Sequence, residues 1–215
     1  MKRIACSLFF SLLFGSAQAQ YKELVLSETF LQSVQNRYGT AAVSRINAWQ
    51  QLIKAGVKQT DWQRIHEVNH FFNRRLRYAS DIDHWLKNDY WATPIEFLGS
   101  GAGDCEDYAI AKYFSLRAMG VPNEKLRLMY VRALSVNEPH MVLVYFEKPE
   151  AMPLVLDNMV LEIKSAADRP DLKPVYSFNA EGLWLAKANG LGKKVNQGGN
   201  IANWSQVLER IEQGL

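Results

Sequence analysis

Helix-type and strand-type apolar spacing occupy separate parts of this chain, and that segregation constrains its fold more than any other feature. Thr60-Asp61-Trp62-Gln63 forms a capping box, after which Ile65, Val68, Phe72 and Leu76 recur on one helical face. A helix is therefore predicted from Asp61 to about Arg77. Phe30 to Tyr38 and Ala41 to Ala55 read as shorter helices, with Gly39 and Gly56 as their stops. A further helix opens at Cys105, with Ala109, Ile110, Tyr113, Phe114, Leu116 and Met119 as its apolar face and Gly120 and Pro122 as its end. Only then come three strand candidates, Leu126 to Ala133, Met141 to Glu147 and Leu154 to Asp157. Helices followed by an antiparallel sheet imply an α+β fold rather than alternating β-α units. Between the blocks, Tyr78 to Gly103 has no clean period and reads as a long ordered loop, a kind of segment that tends to be functional.

The N-terminus carries an export signal. Lys2 and Arg3 are a basic start, Ile4 to Phe14 an apolar core, and Ala17-Gln18-Ala19 a cleavage site before Gln20. The apolar run is shorter than the roughly 20 residues that span a bilayer, and no later segment is long or apolar enough. The expectation is a cleaved signal over residues 1–19 and one exported, soluble domain over 20–215, about 195 residues that can bury a single core. Losing Lys2 and Arg3 takes the formal net charge from +3 to about +1, which argues for no nucleic-acid partner. Near the C-terminus, Gly190 to Lys194 and Gly198-Gly199-Asn200 suggest a mobile or tightly turning surface segment.

Cys6 leaves with the signal, so Cys105 has no partner within the mature chain. An unpaired thiol in an oxidising compartment asks for a reason, and catalysis is the sharpest one. Cys105 opens its helix, where unpaired N–H groups and the helix dipole favour a thiolate and can hold an oxyanion. His140 at the head of a strand and Asp157 at the end of another would complete a nucleophile, base and orienting acid. Against this, Asp104, Glu106 and Asp107 surround the thiol with negative charge and disfavour the thiolate. Either they turn away to cap the helix or contact cations, or they bind a hard cation such as Ca²⁺, to which Asp81, Asp83 and Asp89 could add ligands. The preceding loop is not an EF-hand, since its Gly and Glu are missing. A rival motif is His66-Glu67-Val68-Asn69-His70, an H-E-x-x-H pattern on a helix that suits Zn²⁺, with His84 or a loop acid as third ligand. Both histidines lie on the flank away from the apolar stripe.

Several stretches are familiar together: Asp81-Ile82-Asp83-His84-Trp85, Asp89-Tyr90-Trp91-Ala92-Thr93-Pro94, Gly103-Asp104-Cys105-Glu106-Asp107-Tyr108-Ala109 and Leu116-Arg117-Ala118-Met119-Gly120-Val121-Pro122. Over nearly the whole mature chain the sequence resembles the bacterial transglutaminase-like cysteine proteinases. The resemblance implies a papain-like α+β fold with a Cys105, His140, Asp157 triad and Ca²⁺ dependence, with Asp104, Glu106 and Asp107 as ligands. It further implies a periplasmic endopeptidase that cleaves the N-terminal region of a large surface adhesin near a pair of alanines, releasing it and promoting biofilm dispersal. The implied inhibitor is the periplasmic domain of an inner-membrane cyclic-di-GMP receptor. Papain-like proteases often carry a Gln six residues before the cysteine, and Gly99 stands there, which leaves the oxyanion to backbone N–H groups. The alternatives are a zinc metallopeptidase, a transglutaminase-type cross-linker and a non-catalytic partner-binding module. Of the tryptophans Trp49, Trp62, Trp85, Trp91, Trp184 and Trp204, most are expected in the core.

Overall fold

In the computed structural model, which describes residues 26–185, 192–197 and 201–213, three helices come first: α1 (Glu28–Tyr38), α2 (Thr40–Gly56) and α3 (Asp61–Arg75). Gly39, at φ +84°, ends α1 in a conformation that L side chains seldom adopt and lets α2 begin one residue later. The capping box of α3 is closed: the Thr60 hydroxyl accepts the Gln63 N–H and the Gln63 side chain accepts the Thr60 N–H. Ile65, Val68, Phe72 and Leu76 are all buried. The helix stops at Arg75 rather than about Arg77, because Leu76 turns extended and Arg77–Tyr78 form a short strand, β1.

The expected loop from Tyr78 to Gly103 is instead structured. It holds α4 (Asp81–Trp85), α5 (Pro94–Ser100) and β2 (Ala102–Gly103). Helices of five and seven residues are too short for an apolar period to declare itself, and each is set by its cap. Ser80 accepts the Asp83 N–H, while Thr93 and Glu96 close a second capping box with Pro94 in the first turn. Parallel pairing of β1 with β2 places Arg77 opposite Ala102 and Tyr78 opposite Gly103. The segment's two ends are thus pinned together at the threshold of α6 (Cys105–Ala118).

After α6 the chain forms β3 (Leu126–Ala133), β4 (Glu138–Tyr145), β5 (Leu154–Leu156), β6 (Lys164–Ser165), β7 (Leu172–Asn179), β8 (Gly182–Leu185) and β9 (Lys193–Gln197), then α7 (Ala202–Glu212). The sheet is antiparallel in the order β6-β5-β4-β3-β7-β8-β9. This is the α+β architecture the sequence implied, with a wider sheet. β4 begins three residues before Met141, because Glu138 and Pro139 pair with Ala133 and Arg132 across the ladder. His140 therefore lies within the strand rather than at its head, opposite Val131. Asp157 follows β5 directly. Of the C-terminal segment expected to turn or move, Lys193 to Gln197 form β9. Gly192 precedes it at φ +63°, a turning conformation, while Gly190, Gly198, Gly199 and the export signal lie outside the described residues.

Helix α6 is the centre of the molecule. Asp107 to Tyr113, with Ser115 and Leu116, are buried, so it is enclosed on every side rather than on the single apolar face expected. It packs between α3 and β4. The Tyr108 hydroxyl donates to the Leu76 carbonyl at 2.8 Å, and Trp49 Nε1 donates to Ser115 Oγ at 2.7 Å. Trp49, Trp91, Trp184 and Trp204 are buried, while Trp62 is 59% exposed. Phe72 stacks on Phe97 at 6.2 Å and is fully enclosed. Phe72→Ala should therefore cost about 3–5 kcal/mol of stability, checked by urea unfolding; a loss below about 1 kcal/mol would contradict this packing.

Candidate active site

Local folding brings Cys105 and His140 to one cleft. Cys105 is the first residue of α6 and His140 the third of β4, and the two line a cavity of about 360 Å³ with Tyr78, Val136, Pro139 and Met159. His140 Nε2 lies 2.8 Å from Asp157 Oδ1, with both side chains buried. With Nε2 engaged there, Nδ1 is the ring nitrogen left for the thiol proton. Asp157 Oδ1 also accepts the Met159 N–H at 3.0 Å. Burial alone would raise this carboxyl, yet the bonds from His140, Met159 and Arg169 hold it down at about 2.

The acids around the thiol behave in the opposite way. Asp104 is the N-cap of α6 by backbone position, but its side chain makes no cap bond. Oxygens of Asp81, Asp104 and Asp107 come within 4.8 Å of one another, and Asp81, Asp89 and Glu106 form an overlapping group. Asp81 Oδ2 accepts the Tyr90 N–H and Asp107 Oδ1 the Ala92 N–H, while Asp81 Oδ1, Asp104 Oδ1 and Asp107 Oδ2 are buried with no partner. A Cβ at Gly103 would collide with Asp107 Oδ2, so glycine there makes room for the cluster. Burial first, then mutual repulsion, pushes Asp81 up to about 6, Asp104 to about 10 and Asp107 well above the carboxylate range. Burial and Glu106 raise the Cys105 thiol as well, and its Sγ donates to Glu106 Oε2 at 2.9 Å. The Met141 N–H acts the other way, reaching the sulfur and favouring the thiolate.

Unpartnered buried carboxylate oxygens converging from several residues suit a hard cation, and an all-oxygen donor set with flexible geometry suits Ca²⁺. Asp104, Glu106 and Asp107 are joined here by Asp81 and Asp89. Asp83 is not: its carboxylate accepts the Ser80 hydroxyl instead. The rival motif is not assembled. His66 Nδ1 lies 2.9 Å from the Trp62 carbonyl, and no cluster of three potential ligands among the described residues includes His66 or His70. Gly99 sits in α5, outside the cleft, with its carbonyl taken by Arg45.

The groups that hold Asp157 belong to no motif in the sequence. Arg169 Nη2 donates to Asp157 Oδ2 at 2.7 Å and to Asp171 at 2.8 Å. Lys112, wholly buried, donates to Asn69 Oδ1 at 2.8 Å and to the Asp157 carbonyl at 3.1 Å, and Asn73 donates to that carbonyl at 2.7 Å. Burial brings Lys112 down to about 7, against the pull of Asp157. The available signal was a lysine on the apolar face of its helix, since Lys112 falls three residues after Ala109 and four before Leu116.

The profile of the bacterial transglutaminase-like cysteine proteinases matches residues 41–172. Solved structures similar to the chain include calcium-bound LapG from Legionella pneumophila, 41% identical, covering 86% of this chain and 99% of that one with a TM-score of 0.73. The EGTA-treated form of the same protein is 41% identical, covering 87% and 98%, with a TM-score of 0.75. No curated protein sequence matches.

The raised carboxyls give a pH signature. In cation-free protein the folded state holds protons that the unfolded state has released, so stability falls as pH rises from the ordinary carboxyl value of 3.8 through about 6 for Asp81 and towards about 10 for Asp104. Thermal melts in EGTA should give a higher midpoint at pH 5 than at pH 8, and added Ca²⁺ should stabilise most at pH 8. A Ca²⁺ response independent of pH would contradict the assignment.

Proposed function

The chain belongs to the bacterial transglutaminase-like cysteine proteinases, and we propose that it is a calcium-dependent endopeptidase with Cys105 as nucleophile, His140 as base and Asp157 as orienting acid. The observation that carries this reading is the shared cleft of Cys105 and His140, with Nε2 of the imidazole committed to a buried, ionised Asp157. In the proposed reaction, His140 Nδ1 takes the thiol proton and the sulfur attacks the scissile carbonyl. The Cys105 N–H, at the start of α6, faces the developing oxyanion. His140 then protonates the leaving amine, and water hydrolyses the thioester. Asp81, Asp104, Glu106 and Asp107 would hold Ca²⁺, whose charge beside the thiol offsets the acids that otherwise keep it protonated.

The same reading includes export to the periplasm after removal of residues 1–19, leaving residues 20–215 as one domain. No helix among the described residues is long and apolar enough to cross a membrane. The proposed substrate is the N-terminal region of a large surface adhesin, cut near a di-alanine so that the adhesin is released and the biofilm disperses. The proposed inhibitor is the periplasmic domain of an inner-membrane cyclic-di-GMP receptor. Support for these steps is the family resemblance and the 41% identity to LapG.

Cleavage of an adhesin N-terminal segment by purified protein tests the reading directly. His140→Ala should lower kcat about 10²–10⁴-fold, and Cys105→Ala should abolish cleavage without unfolding the protein. EGTA should silence the enzyme, and Asp104→Ala should mimic EGTA. Full cleavage by Cys105→Ala would sink the proposal; labelling by a primary amine in place of cleavage would point to cross-linking.

A further inference from the structure

Asp157 is a carboxylate with almost no contact with water, and a buried carboxylate stays ionised only beside compensating charge or strong donors. His140 supplies no lasting charge, because its role as a base requires a neutral ring at the start of each cycle. The Met159 N–H is a single neutral donor. Lys112 and Asn73 reach only the Asp157 backbone carbonyl. Among the described residues, Arg169 is the one Lys or Arg bonded to the carboxylate itself, and it is 4% exposed.

The guanidinium is aimed before it reaches Asp157. Its Nε lies 2.9 Å from Asp171 Oδ1 and its Nη2 2.8 Å from Asp171 Oδ2, a two-point grip in the plane of the fork. The same Nη2 then donates to Asp157 Oδ2 at 2.7 Å. The oxygens of Asp157 are thereby divided: Oδ2 belongs to Arg169, and Oδ1 faces His140 and the Met159 N–H. With Oδ2 taken, the carboxylate has no freedom to turn its other oxygen from the imidazole.

We propose that Arg169, oriented by Asp171, is a positioning residue that keeps Asp157 an acceptor and so fixes the His140 proton on Nε2. The inference rests on the reading of His140 as the base for Cys105. Without Arg169, a buried Asp157 takes up a proton, and a protonated carboxyl donates to Nε2. The ring proton then moves to Nδ1, and the nitrogen facing the thiol has no lone pair to accept a proton. This is loss of function by the wrong tautomer, with the fold intact.

The test reads the tautomer directly and needs no substrate. Imidazole nitrogen chemical shifts are recorded over a pH series on isotope-labelled, calcium-loaded Cys105→Ala protein and compared where the shifts themselves report a neutral ring; the chain has 4 histidines, and His140→Ala assigns the signal. The parent should show the Nε2–H form, and both Asp157→Ala and Arg169→Met should shift the population towards Nδ1–H. Arg169→Lys, which keeps a buried cation, should restore much of the Nε2–H form. Should Arg169→Met fail to fold, Asp171→Asn, at a partly exposed site, is expected to shift the tautomer in the same direction by less. An unchanged tautomer in Arg169→Met, or in Asp171→Asn where that variant has to stand in, overturns the inference. So does an Nδ1–H parent. Since no turnover is measured, either result stands apart from the cleavage assay that decides the protease reading.

Discussion

The structure turns on the burial of α6 from Asp107 to Tyr113, because the first turn that leads into this stretch is drawn partly out of water with it. That turn carries Cys105, Glu106 and Asp107, with Asp104 as N-cap and Asp81 brought in from α4. Charges of one sign in a low-dielectric site repel steeply, and only protons or a cation relieve them. Glu106 couples this problem to the nucleophile. Its carboxylate accepts the thiol proton, yet it also belongs to the group of oxygens shared with Asp81 and Asp89. Drawing Glu106 towards a cation therefore removes a negative charge from the sulfur. In the proposed reading, calcium dependence is the electrostatic condition for a thiolate at this place in this helix.

Asp157 meets the same burial with the opposite solution. It is placed among donors rather than among acids, and its carboxyl falls to about 2 while Asp104 rises to about 10. The two sets lie on different layers, one at the start of α6 and one on the sheet. Environment, not residue type, separates an acid that must stay ionised from acids that wait for a counter-ion.

How far the sequence revealed this depends on the length of each signal. The four-residue stripe of α3 was readable because it repeats its period, the eight residues of β3 because Leu, Val and Tyr run there between turn residues, and the helix at Cys105 was marked by its Gly120 stop. α4 and α5 were read as loop because five and seven residues carry a cap but no period. β7 to β9 were missed: Pro174 interrupts β7, and glycines flank the edge strands. At the site, Asp104, Glu106 and Asp107 stood out by adjacency to the thiol. Asp81 and Asp89 were only possible ligands, because nothing local says that a loop some twenty residues away folds back. Arg169 left no trace, since a lone arginine followed by Pro170 and Asp171 reads as a surface turn, and its partner lies twelve residues upstream.

The division of labour between the layers follows from these placements. The helical layer supplies the sulfur and the candidate cation ligands; the sheet side supplies the imidazole, Asp157 and Arg169, with Lys112 of α6 and Asn73 of α3 gripping the Asp157 carbonyl. Cys105 is where the two meet, and the pairing of β1 with β2 fixes that junction from a third side by setting Tyr78 at the edge of the cleft. A cation on the helical side then alters the charge around the sulfur without touching the proton held on His140. In the proposed reading, the contacts that hold the base, from Asp157 and through it Arg169, involve none of the clustered acids. On that reading, one condition, occupancy beside α6, governs reactivity while the proton-transfer geometry stays ready.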